Sequence, residues 1–552
     1  MKLSDHINNK KKDFFLSIGG IGEIGGNNYL YSFGGEQLII DAGISFAGDD
    51  LPGVDISIPD PSFFLNSDIN PKALIITHAH EDHVGGLEYY FDKINFTIFC
   101  TEFTFAYIRH KFSRVKNFEN KFQIIKPYQE IKFENFSFLL IPTTHSIPDP
   151  CGVLIKSENG NIYHTGDWKI DPKPVVGKKF DIKNYEILKD NQIDLLVGDS
   201  TNANVTVSSR SESELVKSFD KLFKQLKGRV VVTCFSSNIA RLKTIITTAQ
   251  SLNKSIFVIG RSVKRAVQTA IEQGLIDNFE IINEKRFKEF KKDNTILICT
   301  GSQGEKNSAL MKIASDVHNN ISLSKKDNVI FSSKEIPGNE KSISFLKNSF
   351  ASMGLKIIDD QDEFIHVSGH PSRTEIIEFY KYVKPLSFIP MHGEYMHLTA
   401  HMEIAHNLGI TNSLISMSGD LCELDLKNKK HKLIDQFIVS KLPIVQNKII
   451  QDSLFLNERS KMIFNGAASI NLIINKKLEI IDMNIKKKGF PFDDTSELLT
   501  NEIKENLLNK LLFLKGDLDE KLLNEFLLDL TKKAFGKFYG LKPEIMTHTS
   551  II

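Results

Sequence analysis

Thr77-His78-Ala79-His80-Glu81-Asp82-His83 sets three imidazoles and the Asp82 carboxylate within six positions, directly after the apolar run Ala73-Leu74-Ile75-Ile76. Neutral imidazole nitrogens and carboxylate oxygens suit a borderline cation such as Zn²⁺. Donors spaced i, i+2, i+4 and i+5 cannot all reach one ion from a regular strand or helix. A loop leaving the end of a buried strand can aim them at two neighbouring ions. Gly85-Gly86 follows at once, as a turn there requires.

Three later residues are ordinary when taken singly. His145 in Thr143-Thr-His-Ser-Ile-Pro-Asp149 fits a strand end, Asp167 in His164-Thr-Gly-Asp-Trp168 a turn, and His392 in Pro390-Met-His-Gly-Glu394 a loop. Behind the histidine run they complete seven donors, enough for two ions about 3.5–4 Å apart sharing a carboxylate.

The elements that must position them alternate apolar runs with polar clusters from Phe14 to about Ser200. Gln37–Asp41, Ala73–Thr77, Phe136–Ile141, Asn161–Thr165 and Asp194–Val197 predict strands, each ending where chemistry-bearing residues begin. From about Ser209 to Gly354 the rhythm becomes strand then helix, four times over, beginning at Val230–Phe235 and Ile239–Leu252. That pattern predicts a parallel, doubly wound sheet. Metal-type residues return at His366 and His392, so this block reads as an insertion. A strand at Ala468–Ile474 and amphipathic helices at Glu497–Phe513 and Asp519–Phe535 predict a small α+β tail for assembly or RNA contact. The expected boundaries are 1–208 and 356–445 for the two parts of the first domain, 209–355 for the insert, 446–465 for a linker and 466–552 for the tail.

A chain of 552 residues exceeds one hydrophobic core. With 69 basic against 68 acidic side chains, affinity for a polyanion must come from local grouping. The five cysteines are widely spaced and read as reduced and buried. The N-terminus carries no apolar leader and no run of about 18 apolar residues follows, so the expectation is a cytoplasmic protein, neither secreted nor membrane-embedded.

The order Asp41-Ala-Gly43, His78-x-His80-x-Asp82-His83, His145, Asp167 resembles the metallo-β-lactamase superfamily. Asp199-Ser-Thr201, His366-Val-Ser-Gly-His370 and Met391-His-Gly-Glu394 are similar to the further motifs of its β-CASP nuclease branch. Gly19-Gly-Ile-Gly-Glu-Ile-Gly25, Asp199-Ser-Thr-Asn-Ala203, Phe235-Ser-Ser-Asn-Ile239, Thr300-Gly-Ser-Gln-Gly-Glu305 and Ile336-Pro-Gly-Asn-Glu340 resemble the ribonuclease J family in particular, over about residues 14–450.

The resemblance implies a metallo-β-lactamase αββα sandwich, an inserted doubly wound parallel β-CASP domain and a small α+β C-terminal domain. It implies a zinc-dependent ribonuclease acting 5′→3′ and endonucleolytically on single-stranded RNA, in mRNA decay and rRNA maturation. His78, His80 and His145 would hold one zinc and Asp82, His83 and His392 the other, with Asp167 bridging, Asp41 orienting a ligand and Mn²⁺ or Mg²⁺ as substitutes. Metal-bound water would attack phosphorus, and Asp199 with His370 would manage the proton at the leaving 3′-oxygen. Ser236, Ser237 and Asn238, faced by His366, Val367, Ser368, Gly369 and His370, would cradle a 5′-monophosphate. For Ser236 and Ser237 the competing role is helix capping. Arg241, Arg261, Lys264 and Arg265 are candidates to line the strand's path or simply a solvated face. A dimer or tetramer and RNA-decay partner proteins would accompany it, with no membrane.

Two departures stand out: Asn204-Val-Thr-Val-Ser-Ser-Arg210 replaces a Pro-Gly stretch, and Asn27 follows Gly26 where a Lys is common. The competing readings are a DNA-preferring β-CASP nuclease, a small-molecule ester or thioester hydrolase, and a non-catalytic RNA-binding scaffold. The inserted block argues against the second and the full ligand set against the third.

Overall fold

The computed structural model describes residues 2–47, 51, 53–66, 68–69, 71–113, 115–490, 495–512 and 520–552. Strands Glu36–Ile40, Pro71–Ile75, Phe136–Pro142, Gly160–His164 and Leu195–Asp199 occupy the apolar runs that precede the polar clusters. They belong to two sheets. One has eight strands, in the order Lys432–Gln436, Asp420–Leu424, Asp13–Gly19, Asn28–Phe33, Glu36–Ile40, Pro71–Ile75, Thr97–Cys100 and Phe122–Ile124. The other has six, in the order Phe388–Met391, Leu195–Asp199, Gly160–His164, Cys151–Ser157, Phe136–Pro142 and Ile131–Lys132.

Alternation along each strand sorts the side chains into layers. Phe15, Tyr31, Leu38 and Ala73 of the first sheet meet Phe138, Val153, Ile162 and Val197 of the second in one buried core. The residues of opposite parity in the second sheet, such as Leu139, Leu154 and Leu196, pack under helices Arg373–Val383 and Tyr395–Asn407 through Ile376, Phe379 and Ile404. Phe388–Met391 lies parallel to Leu195–Asp199, with Asp199 opposite Met391. The chain therefore leaves this sandwich after Asp199 and comes back to the neighbouring strand position.

The excursion forms a parallel sheet of five strands in the order Ser255–Ile259, Thr295–Cys299, Val230–Thr233, Asn328–Phe331 and Lys356–Ile358. Both faces are covered, so the strands carry unbroken apolar runs. Val230, Val232 and Ile298 face helices Ile239–Ser251 and Arg261–Glu272. Val231, Leu297 and Val329 face Ala309–Ala314 and Glu340–Ser352. Val230–Thr233 comes first in sequence but central in space, and the chain fills one side before crossing to the other. That reversal opens a crevice at the C-terminal strand ends, where Cys234–Asn238 emerges.

Ala47–Val54 and Ile449–Ile552 form a second compact unit. Its three-stranded sheet runs in the order Ile480–Lys488, Ala467–Ile474 and Glu544–Ile551. Ile470, Leu472 and Ile474 of the central strand are buried against two helices, Ser496–Leu512 and Glu520–Tyr539. Those helices contribute Leu499, Ile503 and Leu507, and Leu523 and Leu527, at the four-residue spacing of one helical face. Helix Ser453–Asn465 occupies most of the stretch expected to be a linker, and the expected helix ends Phe513 and Asp519 lie outside the described residues.

Candidate metal centre

The strand Pro71–Ile75 delivers the histidine run to the sheet's end, and the backbone then changes character. His78 and His80 precede a short helix, Glu81–Val84, which carries Asp82 and His83. Extended and helical halves aim their donors in different directions. Asp41, just past Glu36–Ile40, adopts a left-handed φ of 63° that turns its carboxylate under this loop. Its oxygens accept the Thr77 N–H at 2.8 Å and His83 Nδ1–H at 2.7 Å. With Nδ1 donating to Asp41, the lone pair of a neutral His83 sits on Nε2.

Asp167 stands at the focus. Its Oδ2 lies 3.2 Å from His83 Nε2, 3.6 Å from His145 Nε2 and 3.7 Å from His78 Nε2, and Oδ1 lies 3.1 Å from His392 Nδ1. His145 donates Nδ1–H to the Gly369 carbonyl at 2.6 Å, which leaves Nε2, 3.0 Å from His80 Nδ1, as its free donor atom. His392 has a left-handed φ of 51° and places Nε2 3.4 Å from Asp82 Oδ2. All seven expected donors are thus gathered. They fall into two sets, His78–His80–His145–Asp167 and Asp82–His83–Asp167–His392, with donor atoms of each set within 4.8 Å of one another.

Burial drives His80 down to about 4, against the pull of Asp82 and Asp167, and pushes His78 and His145 well below the ordinary imidazole value. Burial thus favours the neutral ring, the form whose lone pair a cation can take up. For His83 and His392 burial also opposes charge, but Asp167 and its neighbouring carboxylates outweigh it and raise both. A divalent cation competes for the same positions as those protons. The residues fit such an ion on independent grounds. His78 Nε2, His392 Nε2 and Asp167 Oδ1 are buried without a hydrogen-bond partner, Asp167 Oδ1 despite its nearness to His392. Three orphaned atoms converging in one place is an arrangement that an ion satisfies.

Beside the centre, His370 Nδ1 lies 2.8 Å from Asp199 Oδ2. Burial opposes the charged ring, but Asp199 and Asp167 together hold His370 above its ordinary value, while Asp199 is held below its own. Thr201 fixes the other Asp199 oxygen at 2.7 Å.

A cleft of about 450 Å³ runs from these donors to the insert's crevice. One wall carries Ser236, Ser237 and Asn238, the other His366 to His370. The helix-capping role falls to Asn238, whose Oδ1 accepts the Arg241 N–H at 2.8 Å, and Ser236 bonds Ser262 instead. The Ser237 hydroxyl has no partner among the described residues, and neither do the backbone N–H groups of Ser236 and Ser237.

Arg241 does not line the cleft as a phosphate contact. It is fully buried in a bidentate pair with Glu212. Of the other basic candidates, Lys264 pairs with Glu284 and Arg261 is exposed. Asn27, notable in the sequence only as a departure, has a role there: its amide reaches the Asp82 carbonyl at 3.1 Å and His83 Nε2 at 3.0 Å, and its Oδ1 accepts the Tyr29 hydroxyl. Only the Gly-rich run before it hinted at a close approach.

Three family models match the chain: metallo-β-lactamase superfamily over residues 21–207, ribonuclease J β-CASP domain over 227–350, and Zn-dependent metallo-hydrolase RNA specificity domain over 360–414. Among curated proteins, ribonuclease J of Sinorhizobium meliloti is 35% identical over 505 residues, covering 90% of this chain and 89% of that protein. Ribonuclease J 1 of Streptococcus pyogenes serotype M3 is 34% identical with the same coverages, 90% and 89%. Ribonuclease J of Helicobacter pylori strain B128 is 31% identical, covering 98% and 80%. A solved Enterococcus faecalis V583 protein of unknown function shares the fold at a TM-score of 0.52 and 13% identity, covering 75% of this chain and all of that one.

Proposed function

The chain belongs to the ribonuclease J family and is a metal-dependent ribonuclease, and from that premise we propose how it acts: as a two-zinc enzyme that removes nucleotides from 5′-monophosphorylated single-stranded RNA and also cuts internally. The observation that carries this reading is one cleft with five of the seven donors lining one end and unpartnered N–H groups at the other. Divalent cations in the two donor sets supply Lewis acidity and bring the pKa of bound water toward neutrality.

His78, His80 and His145 would hold one ion and Asp82, His83 and His392 the other, with Asp167 belonging to both donor sets. Mn²⁺ or Mg²⁺ are possible substitutes for zinc. Asp41 keeps His83 in the tautomer that presents Nε2, and the Gly369 carbonyl does the same for His145. His370 is the general acid. With Nδ1 committed to Asp199, its Nε2 gives the proton to the leaving 3′-oxygen, and the raised affinity of the ring for a proton suits that task. Asp199 stays anionic and orients the ring.

At the far end the Ser237 hydroxyl and the N–H groups of both walls receive the terminal phosphate. A phosphate held at a fixed distance from the ions sets the cut one nucleotide at a time. Action in mRNA decay and rRNA maturation, a cytoplasmic setting and a dimeric or tetrameric assembly complete the proposal. No helix among the described residues is long and apolar enough to cross a membrane.

The test is one labelled RNA with 5′-monophosphate, 5′-triphosphate or 5′-hydroxyl ends, beside the matching DNA, with zinc supplied. Mononucleotides released chiefly from the monophosphate form support the pocket. Equal rates on all ends remove it, and faster cutting of DNA points to the DNA-preferring alternative.

A further inference from the structure

The segment from Ile365 to His370 is gripped from behind through its carbonyl groups. Arg241 Nη1 donates to the Ile365 carbonyl at 3.1 Å and Nη2 to that of Val367 at 3.4 Å. Lys169 Nζ donates to the Ser368 carbonyl at 3.1 Å. His145 and Asn202 take the next two carbonyls in line. By contrast, the backbone N–H groups of His366, Val367, Ser368 and Gly369 meet no acceptor among the described residues.

That asymmetry has a physical consequence. Across a planar trans peptide, the N–H of one residue points opposite to the carbonyl of the residue before it. Drawing back the carbonyls of Ile365, Val367 and Ser368 therefore turns the N–H groups of His366, Ser368 and Gly369 the other way. All three of these residues line the cleft.

Both cations are themselves held in place. Arg241 is fully buried, and Glu212 meets its Nε at 2.6 Å and its Nη2 at 3.1 Å in a fork-to-fork pair. Lys169, also buried, lies 3.5 Å from Asp171. A buried ion pair is weak evidence for stability, since desolvation offsets much of the attraction. Two buried cations directing donors at the back of one loop call for another reason.

We propose that Arg241, Glu212 and Lys169 are positioning residues for terminal-phosphate recognition: they hold the 366–369 backbone so that its N–H groups form an anion-binding nest. The proposal rests on the 5′-phosphate reading of the cleft given above. None of the three touches substrate. They act through the loop, so their loss lowers preference for a phosphorylated end without removing the chemistry.

The experiment measures kcat and KM on 5′-monophosphate and 5′-hydroxyl forms of one RNA for wild type, Arg241→Lys, Glu212→Gln and Lys169→Met, with zinc content and melting temperature alongside. The expected result is a rise in KM on the monophosphate form alone, reducing the preference at least about tenfold, the scale of one lost charge-assisted hydrogen bond. Arg241→Lys keeps the charge but loses the fork, so it falls between wild type and Glu212→Gln. Unchanged preference in folded variants, or an equal loss of kcat on both ends, overturns the proposal. If wild type itself ignores the 5′ end, the cleft reading fails first, and the positioning role with it. Should the buried-pair variants not fold, Lys169→Met and a wild-type measurement decide. Inorganic phosphate should slow hydrogen exchange across 366–369, and no protection there would count against the nest.

Discussion

Gly369→Ala tests the centre where its tolerance is smallest. A methyl group added at Gly369 would sit 2.6 Å from His145 Nδ1 and closer still to Cε1 of that ring. Ordinary contact needs roughly 3.5 Å, so the ring or the loop must give by about 1 Å. Gly369 is not among the positive-φ residues, so the effect is purely one of space. Metal–ligand distances tolerate only about 0.2 Å, so a shift of that size takes His145 out of the donor set or carries the loop away from it. Disturbing the partner that orients a ligand, as the Gly369 carbonyl orients His145, lowers metal affinity by about 10–100-fold, and a 1 Å misplacement costs about 10²-fold in rate. The assay equilibrates wild type and Gly369→Ala with buffers of graded free zinc, then reads bound metal by mass spectrometry and turnover on the same samples. The expected outcome is a shifted zinc-binding curve and a turnover loss that excess zinc partly repairs. A variant that binds zinc and turns over as wild type does would refute the reasoning, because His145 could not then be held against this loop.

Two further outcomes follow from the same geometry. Asp41→Asn puts an amide opposite His83 Nδ1 and favours the tautomer with its hydrogen on Nε2. Zinc affinity of the Asp82–His83–Asp167–His392 set should fall about 10–100-fold, seen as loss of roughly half the bound metal at limiting zinc; full stoichiometry at wild-type affinity would contradict it. His401, bonded to Ser200 and Tyr380, is pushed by burial down to about 3. Below the ordinary imidazole value the unfolded chain takes up a proton that the folded ring refuses. Stability from this group is therefore complete above about pH 6.5 and is lost as pH falls toward 3. His401→Gln should flatten the slope of unfolding free energy against pH by up to about 1.4 kcal/mol per unit in that window, and an unaltered slope in denaturant titrations would rule the assignment out.

The clustering of these donors was foreshadowed because metal chemistry uses few residue types at strand-end loops, and the four strand–helix repeats declared a parallel sheet by rhythm alone. What stayed hidden was long-range. Arg241, at the start of a helix, reads as an RNA contact or a solvated cation, because its partner Glu212 and its carbonyl acceptors near residue 365 are distant in sequence. Asn27 reads only as a departure from the family pattern, and the fold alone sets it against Asp82 and His83. The place of Val230–Thr233 in the middle of its sheet also follows from crossovers rather than from any local pattern. For Ser236 and Ser237 the sequence allows capping or ligand binding, and the helix end is held by Asn238.

The pairing of Asp199 with Met391 sets a schedule for birth as well as a place in the fold. Six of the seven donors precede residue 170, but the last, His392, follows the whole excursion. A chain still being translated cannot finish its second donor set until that late segment has emerged.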